Sequence, residues 1–320
     1  MFSFIIPCYN ELKLIKSCIK SIKSMISYDL ILCEIIVVDN SDVNLSFENK
    51  IFQNIKIIKN GSNLGFGAAI NKGIKISKNE FIVIINNDII LDKNWLLNAR
   101  EFIDNNNDIF DLYSTTIMQH SKNDFIDSTG FKLTKGFGII TNRNLRINQI
   151  KKDLSVFGPV AACAIYNRTI FSKIGFFFEK YFMYEEDIDI AIRAHLYGYK
   201  CGHIMNAKSV HVGSASLGYY SSLKQYYISR NKIWLFYLNM HNEIILKSLF
   251  FFLIHQFMIF IKSVRNSNII SHLSGVKDAI KELNKLSAVR NCRHSKVRIT
   301  AKDFYDNLSK INLRNKIIEQ

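Results

Sequence analysis

Residues 81–88 read FIVIINND. Five apolar residues, mostly β-branched, are followed at once by three polar ones, which is typical of a buried strand that ends at the edge of a sheet. Similar runs precede it at 3–7 (SFIIP), 34–39 (EIIVVD) and 54–60 (NIKIIKN), with helical patterns from about Glu11 and about Gly67. This alternation predicts an α/β fold with a mostly parallel central sheet flanked by helices.

The rest of the chain is organised differently. Strand-like runs at 109–115 and 160–166 precede a helical pattern at 185–198, EEDIDIAIRAHLYG, whose first turn is acidic. Long helical runs follow, and residues 262–320 contain 13 Lys and Arg against 5 Asp and Glu. We therefore predict a domain over 1–217, with halves 1–106 and 107–217, and a basic, helical C-terminal extension over 218–320.

The composition narrows the class of protein. With 320 residues, 48% of them hydrophobic, the chain can bury a full core. Its net charge of +15 favours an anionic partner, although part of the charge fits a chain rich in Lys, Asn and Ile. Basic and aromatic residues are not interleaved as in a nucleic-acid platform, so no nucleic acid is expected. Six cysteines without a CxxC pair, and an N-terminal apolar run without a basic flank, predict a reduced, cytoplasmic protein.

Ligands of open α/β sheets bind beyond the carboxyl ends of the strands, so polar residues there are candidates. Asp88 follows a buried strand, where an ionised carboxylate is costly unless it is paired or binds a cation such as Mg or Mn. The alternative is an Asp that caps the turn before the helix near Trp95. Asp39 ends another strand and either accepts hydrogen bonds from a base or ribose, or forms an ordinary Asx turn.

Three further features carry possible chemistry. The loop GSNLGFGAA (61–69) suits a phosphate or a tight turn, but it lacks the patterns of a P-loop and of a dinucleotide site. Four carboxylates open the helix at 185–198, which the helix dipole favours, yet their mutual repulsion would raise at least one pKa toward that of a general base. His211 follows a strand and is either a metal ligand or a structural histidine.

In order along the chain, IIPCYNE (5–11), VVDNSD (37–42), NLGFGAAINKG (63–73) and the segment 157–193 resemble motifs of the family 2 glycosyltransferases. The likeness is to the bacterial rhamnosyltransferase-like branch, covers about residues 2–240, and implies a GT-A fold, the nucleotide-diphospho-sugar transferase fold. It makes 1–106 the donor half and 107–217 the acceptor half.

The resemblance also implies roles for individual residues. Asp187 matches the catalytic base, with Glu186 beside it, and Asp88 is the main metal ligand, with His211 approaching the metal or diphosphate. Asn stands where the family's Asp-x-Asp motif has its first Asp, so the metal affinity is expected to be modest. The residues implied in donor binding are Pro7, Tyr9, Asn10, Glu11, Asp39, Asn63, Gly65, Asn71, Asn86, Asn87 and Arg230, the last together with Asn231.

The implied reaction is the inverting transfer of a sugar, rhamnose or another hexose, from a dTDP- or UDP-sugar. The implied acceptor is a hydroxyl of a saccharide or lipid-linked saccharide. The implied pathway is the synthesis of a bacterial surface polysaccharide such as O-antigen or capsule. A divalent metal is the expected cofactor. Two alternatives stay open: a sugar-nucleotide nucleotidyltransferase, and a catalytically silent scaffold with the same fold. The first usually has a Gly-rich, basic loop after its first strand, where this chain has CYNELK.

One apolar stretch, Leu249 to Ile261, raises the question of a membrane. It is interrupted by His255 and Gln256 and is shorter than the ~20 residues that span a bilayer. With the basic C-terminal region it suggests peripheral docking on the inner face of the cytoplasmic membrane. Packing against the protein itself or a second subunit is the alternative, and the sequence does not define an oligomeric state.

Overall fold

The computed structural model describes residues 1–26, 33–43, 45–48, 50–122, 124–150, 155–213 and 221–308. The chain divides into two compact units. Unit 1 comprises Met1–Phe131, Thr141–Phe182 and Tyr199–Gly213, and unit 2 comprises Lys132–Ile140, Met183–Gly198 and Ser214–Gln320. The predicted boundary after residue 217 lies outside the described residues, so that division stays a prediction.

The strands are β1 Phe2–Cys8, β2 Cys33–Asp39, β3 Lys56–Lys59, β4 Phe81–Ile85, β5 Ile89–Leu91, β6 Leu112–Gln119, β7 Ile126–Ser128, β8 Phe131–Leu133, β9 Ile139–Thr141, β10 Ser155–Val156, β11 Cys163–Asn167 and β12 Cys201–His211. Unit 1 is built on a ten-stranded sheet whose main path runs β10-β12-β6-β11-β4-β1-β2-β3, with β5 paired to β12 and β7 paired to β6. β8 and β9 form a separate two-stranded sheet, and most of their residues belong to unit 2.

Four helices accompany these strands: α1 Leu12–Ile26, α2 Phe66–Ile76, α3 Trp95–Asp104 and α4 Thr169–Ile174. Ile15, Ile19 and Ile22 of α1 recur at helical spacing and are fully buried in one core with Phe4 and Ile6 of β1. A fully buried Ile of this kind contributes about 1.5–3 kcal/mol. The alternating apolar patterns therefore form the predicted layers because each element buries one face against the sheet.

The sheet is mixed rather than mostly parallel. β3, β2, β1 and β4 are parallel neighbours, as the βαβ pattern predicts. β11, however, runs antiparallel to both β4 and β6. Its apolar run at 160–166 fits a strand buried on both faces whichever way it runs, so the sequence indicated the strand but not its direction.

Unit 2 contains helices α5 Glu186–Tyr197, α6 Ser222–Asn239, α7 Ile245–Arg265, α8 Ile269–His294 and α9 Ala301–Asp306. The C-terminal region is thus helical, as predicted. α8 lies close to α6 at Gly275, where a Cβ atom would stand 2.5 Å from the carbonyl oxygen of Tyr226. The indole of Trp234 in α6 donates to the carbonyl of Ala279 at 3.1 Å. Glycine is needed at position 275 because the two backbones nearly touch there.

α7 is longer than the apolar stretch that the sequence analysis singled out. Together with the three residues before it, Asn242–Arg265 is long and apolar enough to cross a membrane by length and composition, and an 18-residue stretch within it has a mean hydropathy of 2.1. Length and composition alone are weak evidence for a span, since buried helices of soluble proteins pass the same test.

Candidate functional site

Asp88 lies in the tight turn after β4. The amide of Asn86 donates to Ala162 at 2.9 Å, Ile89 donates back to Asn86, and the amide of Val212 donates to the carbonyl of Asp88 at 2.9 Å. These bonds fix the turn at the ends of β4 and β12, and the Asp88 side chain is 5% exposed. Asp88 is not the helix cap that the sequence left open, because Asp92 accepts the amide of Asn94 before α3.

His211 ends β12 and lies directly beside Asp88. Its Nε2 is 3.1 Å from Oδ2 of Asp88, and its Nδ1 is 2.8 Å from Oδ2 of Asp127. Arg143 completes the chain of contacts, 3.2 Å from the other oxygen of Asp127. The structure thus brings together two sequence-predicted residues and adds two that sequence reasoning missed. Asp127 is a carboxylate within a short strand, a weak signal, and nothing local marks Arg143.

The histidine is held as a cation by its neighbours. Hydrogen bonds to Asp127 and Asp88 raise the pKa of His211 to about 10, against the opposing effect of burial. A divalent ion would replace the Nε2 proton, while Asp127 orients the ring through Nδ1, an arrangement common at metal sites. Within the described ranges, no group of three or more His, Cys, Asp and Glu side chains could hold a metal. A metal held by Asp88 and His211 would take its remaining ligands from water or diphosphate oxygens, and the metal site stays a prediction.

The ends of β1 and β2 form a second cluster of predicted residues. Ser41 donates its amide to Asp39 at 3.0 Å, so the Asx turn that the sequence left open is present. Asn10, with φ 56°, donates its amide to the Ser41 hydroxyl at 2.8 Å. The Tyr9 hydroxyl donates to Asp42 at 2.8 Å. Asp42, which sequence reasoning missed, also accepts the Asn63 amide at 3.1 Å.

The other predicted donor-side residues border this cluster. Pro7 pairs with Val38 inside the sheet, and the Glu11 carbonyl accepts the amide of Ile15 as α1 begins. Asn87 lies within hydrogen-bonding reach of the Cys8 thiol, whose pKa burial raises to about 11. Five of the predicted donor residues therefore follow the carboxyl ends of β1 and β4.

In the glycine-rich loop, the backbone at Gly65 lies very close to the backbone at Phe182. Gly65 has φ 86°, and a Cβ atom there would stand 2.5 Å from the carbonyl of Phe182. Asn63 accepts the Gly65 amide at 3.0 Å, and Asn40 donates to the Gly65 carbonyl at 3.0 Å. The tight-turn interpretation of this loop therefore describes its geometry, because only glycine fits at position 65.

Within unit 1, the Asn71 side chain forms hydrogen bonds to residues 177 and 179. Its side-chain nitrogen donates to the Phe177 carbonyl and to Glu179, each at 2.9 Å, and its oxygen accepts the Phe177 amide at 3.0 Å. The side chain is 2% exposed. These contacts fix the aromatic run 176–178, and a direct contact of Asn71 with the donor stays a prediction.

The acidic cluster of unit 2 divides into two outer and two inner carboxylates. Lys232 contacts Glu185 at 2.5 Å, and both side chains are buried. Asp189 is fully buried and contacts Arg193 and Arg293, while Asn239 donates to it at 2.9 Å. Burial alone would raise its pKa, but Arg293 and Arg193 hold the pKa of Asp189 below its usual range. The outer pair is therefore neutralised by side chains of α5, α6 and α8.

The inner pair consists of Glu186 and Asp187, the first two residues of α5. Burial, together with the charges of Asp187 and Glu185, raises the pKa of Glu186 well above its usual range. In the described part of the chain, Oε2 of Glu186 is buried and has no hydrogen-bond partner. Asp187 is half-buried, and one of its oxygens accepts the amide of Ile188 at 2.8 Å. The two neighbours thus differ in their exposure to solvent.

The backbone before α5 is strained and held by α6. Tyr184 and Glu185 have φ of 66° and 75°, values that cost non-glycine residues about 1–3 kcal/mol each. Asn231 donates to the carbonyls of Met183 at 2.8 Å and Tyr184 at 2.9 Å. Such strain persists only where neighbouring contacts fix it, and it occurs often at functional sites.

Arg230 lies against aromatic rings of its own helix. Its guanidinium is 4.4 Å from the ring of Trp234 and 4.8 Å from that of Tyr227. It also donates to Asn231 at 3.0 Å. The contact with donor phosphates that the resemblance implies for Arg230 stays a prediction.

These observations place a pair of residues, buried Asp88 and half-buried His211, at the strand ends of an α/β sheet, and a strained acidic helix start in the same chain. The family model for glycosyl transferase family 2 matches residues 3–175, more than half of the chain. The chain belongs to glycosyl transferase family 2. The matched region is a glycosyltransferase domain, as the sequence motifs predicted. No curated protein sequence matches the chain.

Solved structures of glycosyltransferases share the fold. TarS of S. aureus has 18% identity and a TM-score of 0.55, over 95% of this chain and 54% of that one. TarS 1-349 in complex with UDP-GlcNAc has 19% identity and a TM-score of 0.55, over 96% and 88%. The mannosyltransferase PcManGT from Pyrobaculum calidifontis, in complex with GDP-Man and Mn2+, has 12% identity and a TM-score of 0.54, over 96% and 83%.

The comparisons confirm the predicted family and GT-A fold. At these identities the structural likeness concerns the fold alone, and this chain spans about half of the longer TarS chain. The rhamnosyltransferase-like branch is not among the findings, and the roles of individual site residues stay predictions.

Proposed function

We propose that this family 2 protein is an inverting glycosyltransferase that moves a sugar from a nucleoside-diphosphate sugar to an acceptor hydroxyl. The observation that carries the proposal is the Asp88–His211 pair, 3.1 Å apart at the strand ends of a family 2 domain. Cationic His211 and buried Asp88 form a site that exchanges a proton for a metal ion. A sugar nucleotide needs such a site to neutralise its diphosphate.

Asp88 and His211 would hold a divalent metal, Mg or Mn. When bound, this ion offsets the negative charge that grows on the departing diphosphate. Asp127 would keep the imidazole oriented through Nδ1, and Arg143 would hold Asp127 in position. The Mn2+ in the PcManGT complex supports this assignment by analogy of fold.

Asp187 would act as the general base. It is half-buried, and the resemblance matches it to the family's base. As the acceptor oxygen attacks the anomeric carbon, its proton passes to Asp187. The bond from that carbon to the diphosphate breaks, the nucleoside diphosphate departs with the bonding electrons, and the anomeric configuration inverts. Neighbouring Glu186, with its raised pKa, would act as a hydrogen-bond donor in its protonated form.

The donor and the setting are narrower proposals. The sequence resemblance supports a dTDP-deoxysugar such as rhamnose, whereas the UDP-GlcNAc complex of TarS supports a UDP-sugar. We place the reaction in bacterial surface-polysaccharide synthesis and in the cytoplasm. Four buried cysteine thiols, Cys8, Cys18, Cys163 and Cys201, support a reducing compartment. Family membership argues against the nucleotidyltransferase alternative.

Thermal denaturation against UDP, dTDP, GDP and ADP, each with and without Mn, tests the donor site. A ligand at 100 times its Kd raises the free energy of unfolding by about 2.7 kcal/mol. We expect a metal-dependent shift with one pyrimidine diphosphate. Asp88→Asn should abolish the metal-dependent part, whereas Asp92→Asn, at an exposed carboxylate in the turn before α3, should keep it. No shift with any nucleotide would favour the silent-scaffold alternative.

A further inference from the structure

The most apolar face of α7 is exposed, whereas a helix that only packs on protein would bury that face. Its exposed fractions run from 50% for Ile261 to 79% for Leu246. The six most exposed apolar side chains are Leu246, Phe250, Leu253, Phe257, Ile261 and Val264. At about 100° per residue they lie within a narrow sector of the helix, so they form one continuous apolar row. We call this row the α7 face.

The opposite side of α7 is fixed within unit 2. Ser248 and Ser263 are fully buried, and Phe252 stacks on Phe236 of α6 with ring centroids 4.2 Å apart. A Cβ atom on Gly136 would stand 2.6 Å from the carbonyl of Phe251, so the backbones touch there. A helix that crossed a bilayer would lose these contacts. α7 is therefore built to lie flat, with the α7 face outward.

Basic residues accompany the α7 face. Lys247, Lys262 and Arg265 are exposed on α7, which has no acidic residue. The next helix, α8, adds exposed Ile270 and Leu273, followed by the exposed lysines Lys277, Lys281 and Lys285. Its acidic residues are Asp278, which accepts the Tyr226 hydroxyl, and Glu282. Both helices thus expose apolar side chains together with basic ones.

We propose that the α7 face docks on a lipid bilayer that contains anionic headgroups, with α7 lying in the plane of the interface. An apolar row of this length with lysines beside it is the pattern of interfacial helices. A second copy of this chain fits less well, because a symmetric contact would bring the same cations together. The proposal does not depend on which sugar the enzyme transfers.

Flotation with vesicles tests the docking directly. The full chain should float with vesicles of phosphatidylcholine mixed with phosphatidylglycerol at low salt, and should be released at high salt, since screening weakens the cationic contribution. The double substitution Leu253→Glu and Phe257→Glu should lower binding at least about tenfold, because two apolar anchors are lost. Leu97→Glu, at a side chain of α3 that is 53% exposed, is the matched control and should bind like wild type.

A second readout does not depend on binding yield. Phe257→Trp should show a blue shift of its fluorescence and protection from iodide when anionic vesicles are added, whereas Leu97→Trp should show neither. Protein that stays in the soluble fraction at low salt would overturn the proposal. So would equal binding of the Leu253/Phe257 double variant and the control, or a dimer in light scattering that only the double variant dissociates. If the protein stays on the vesicles at high salt and alkaline pH, α7 spans the membrane and does not lie flat on it.

Discussion

The acidic side chains of the two units contact their cationic partners in different ways. In unit 1, Asp88 and Asp127 both contact the imidazole of His211. Asp127 in turn contacts Arg143, so the four side chains form one continuous series of contacts. In unit 2, Lys232 binds Glu185, and Arg193 and Arg293 bind Asp189, so each outer carboxylate has its own cations. A metal site needs its charges arranged before the ion binds, whereas a base must keep its carboxylate accessible to the substrate proton. We therefore expect Asp189 to matter for stability and Asp187 for the proposed reaction.

The largest expected effect tests the inner pair. Asp187→Asn should lower the rate of sugar transfer by about 10²- to 10⁴-fold, the usual contribution of a general base. Single-turnover transfer measures it, and nucleotide-induced thermal shifts should stay at the wild-type level because donor binding does not need the base. Turnover at the wild-type level would remove Asp187 from the proposed mechanism.

The outer pair should respond in stability instead. Asp189→Asn leaves Arg193 and Arg293 buried beside a neutral amide, and losing one partner of a buried ion pair costs about 3–5 kcal/mol. Urea denaturation measures the change. Asp104→Asn, in an exposed pair with Arg100, is the matched control and should change stability by less than about 1 kcal/mol. If both substitutions cost the same, Asp189 has no special structural role.

An intermediate effect is expected at Asp127. Asp127→Asn weakens the contact that orients the His211 ring, and loss of such a partner lowers metal affinity by about 10- to 100-fold. Mn titration in the presence of the active nucleoside diphosphate measures it. Asp124→Asn, at an exposed position three residues earlier, should leave the affinity unchanged. If the Asp127→Asn variant binds Mn with unchanged affinity, the contact between Asp127 and His211 does not contribute to metal binding.

The smallest effect concerns Glu186 and appears as a pH dependence. Its pKa is raised in the folded state, so the folded protein holds this proton more tightly than the unfolded chain does. Its contribution to stability is complete at pH values below the ordinary Glu pKa and is lost as pH rises through the raised one. Glu186→Gln should remove this loss and give a slightly higher midpoint of thermal unfolding at neutral and alkaline pH.

Thermal scans across pH compare Glu186→Gln with wild type and with Glu101→Gln, whose side chain is exposed. The Glu101 variant should follow the wild-type profile. A Glu186 variant that also follows it would mean that Glu186 is ionised in the folded state.

Local sequence signals predicted much of the fold. Strand runs such as FIVII and EIIVVD, and the acidic start of α5, appear in the structure at the expected places because each depends on periodicity within a few residues. The direction of β11 was not predictable, since a fully buried strand has no polar face to orient it. Asp88 and His211 were found individually as polar residues after strands.

The sequence by itself determined the family, the α/β class and the residue types at the strand ends, because short-range patterns encode them. Only the tertiary structure decided that His211 meets Asp88 across 123 residues and Asp127 across 84, and that Arg293 reaches Asp189 across 104. It also decided that Asn71 holds the segment 177–179. A side chain's partner depends on which distant strand or helix lies beside it, and no local pattern of residues carries that information.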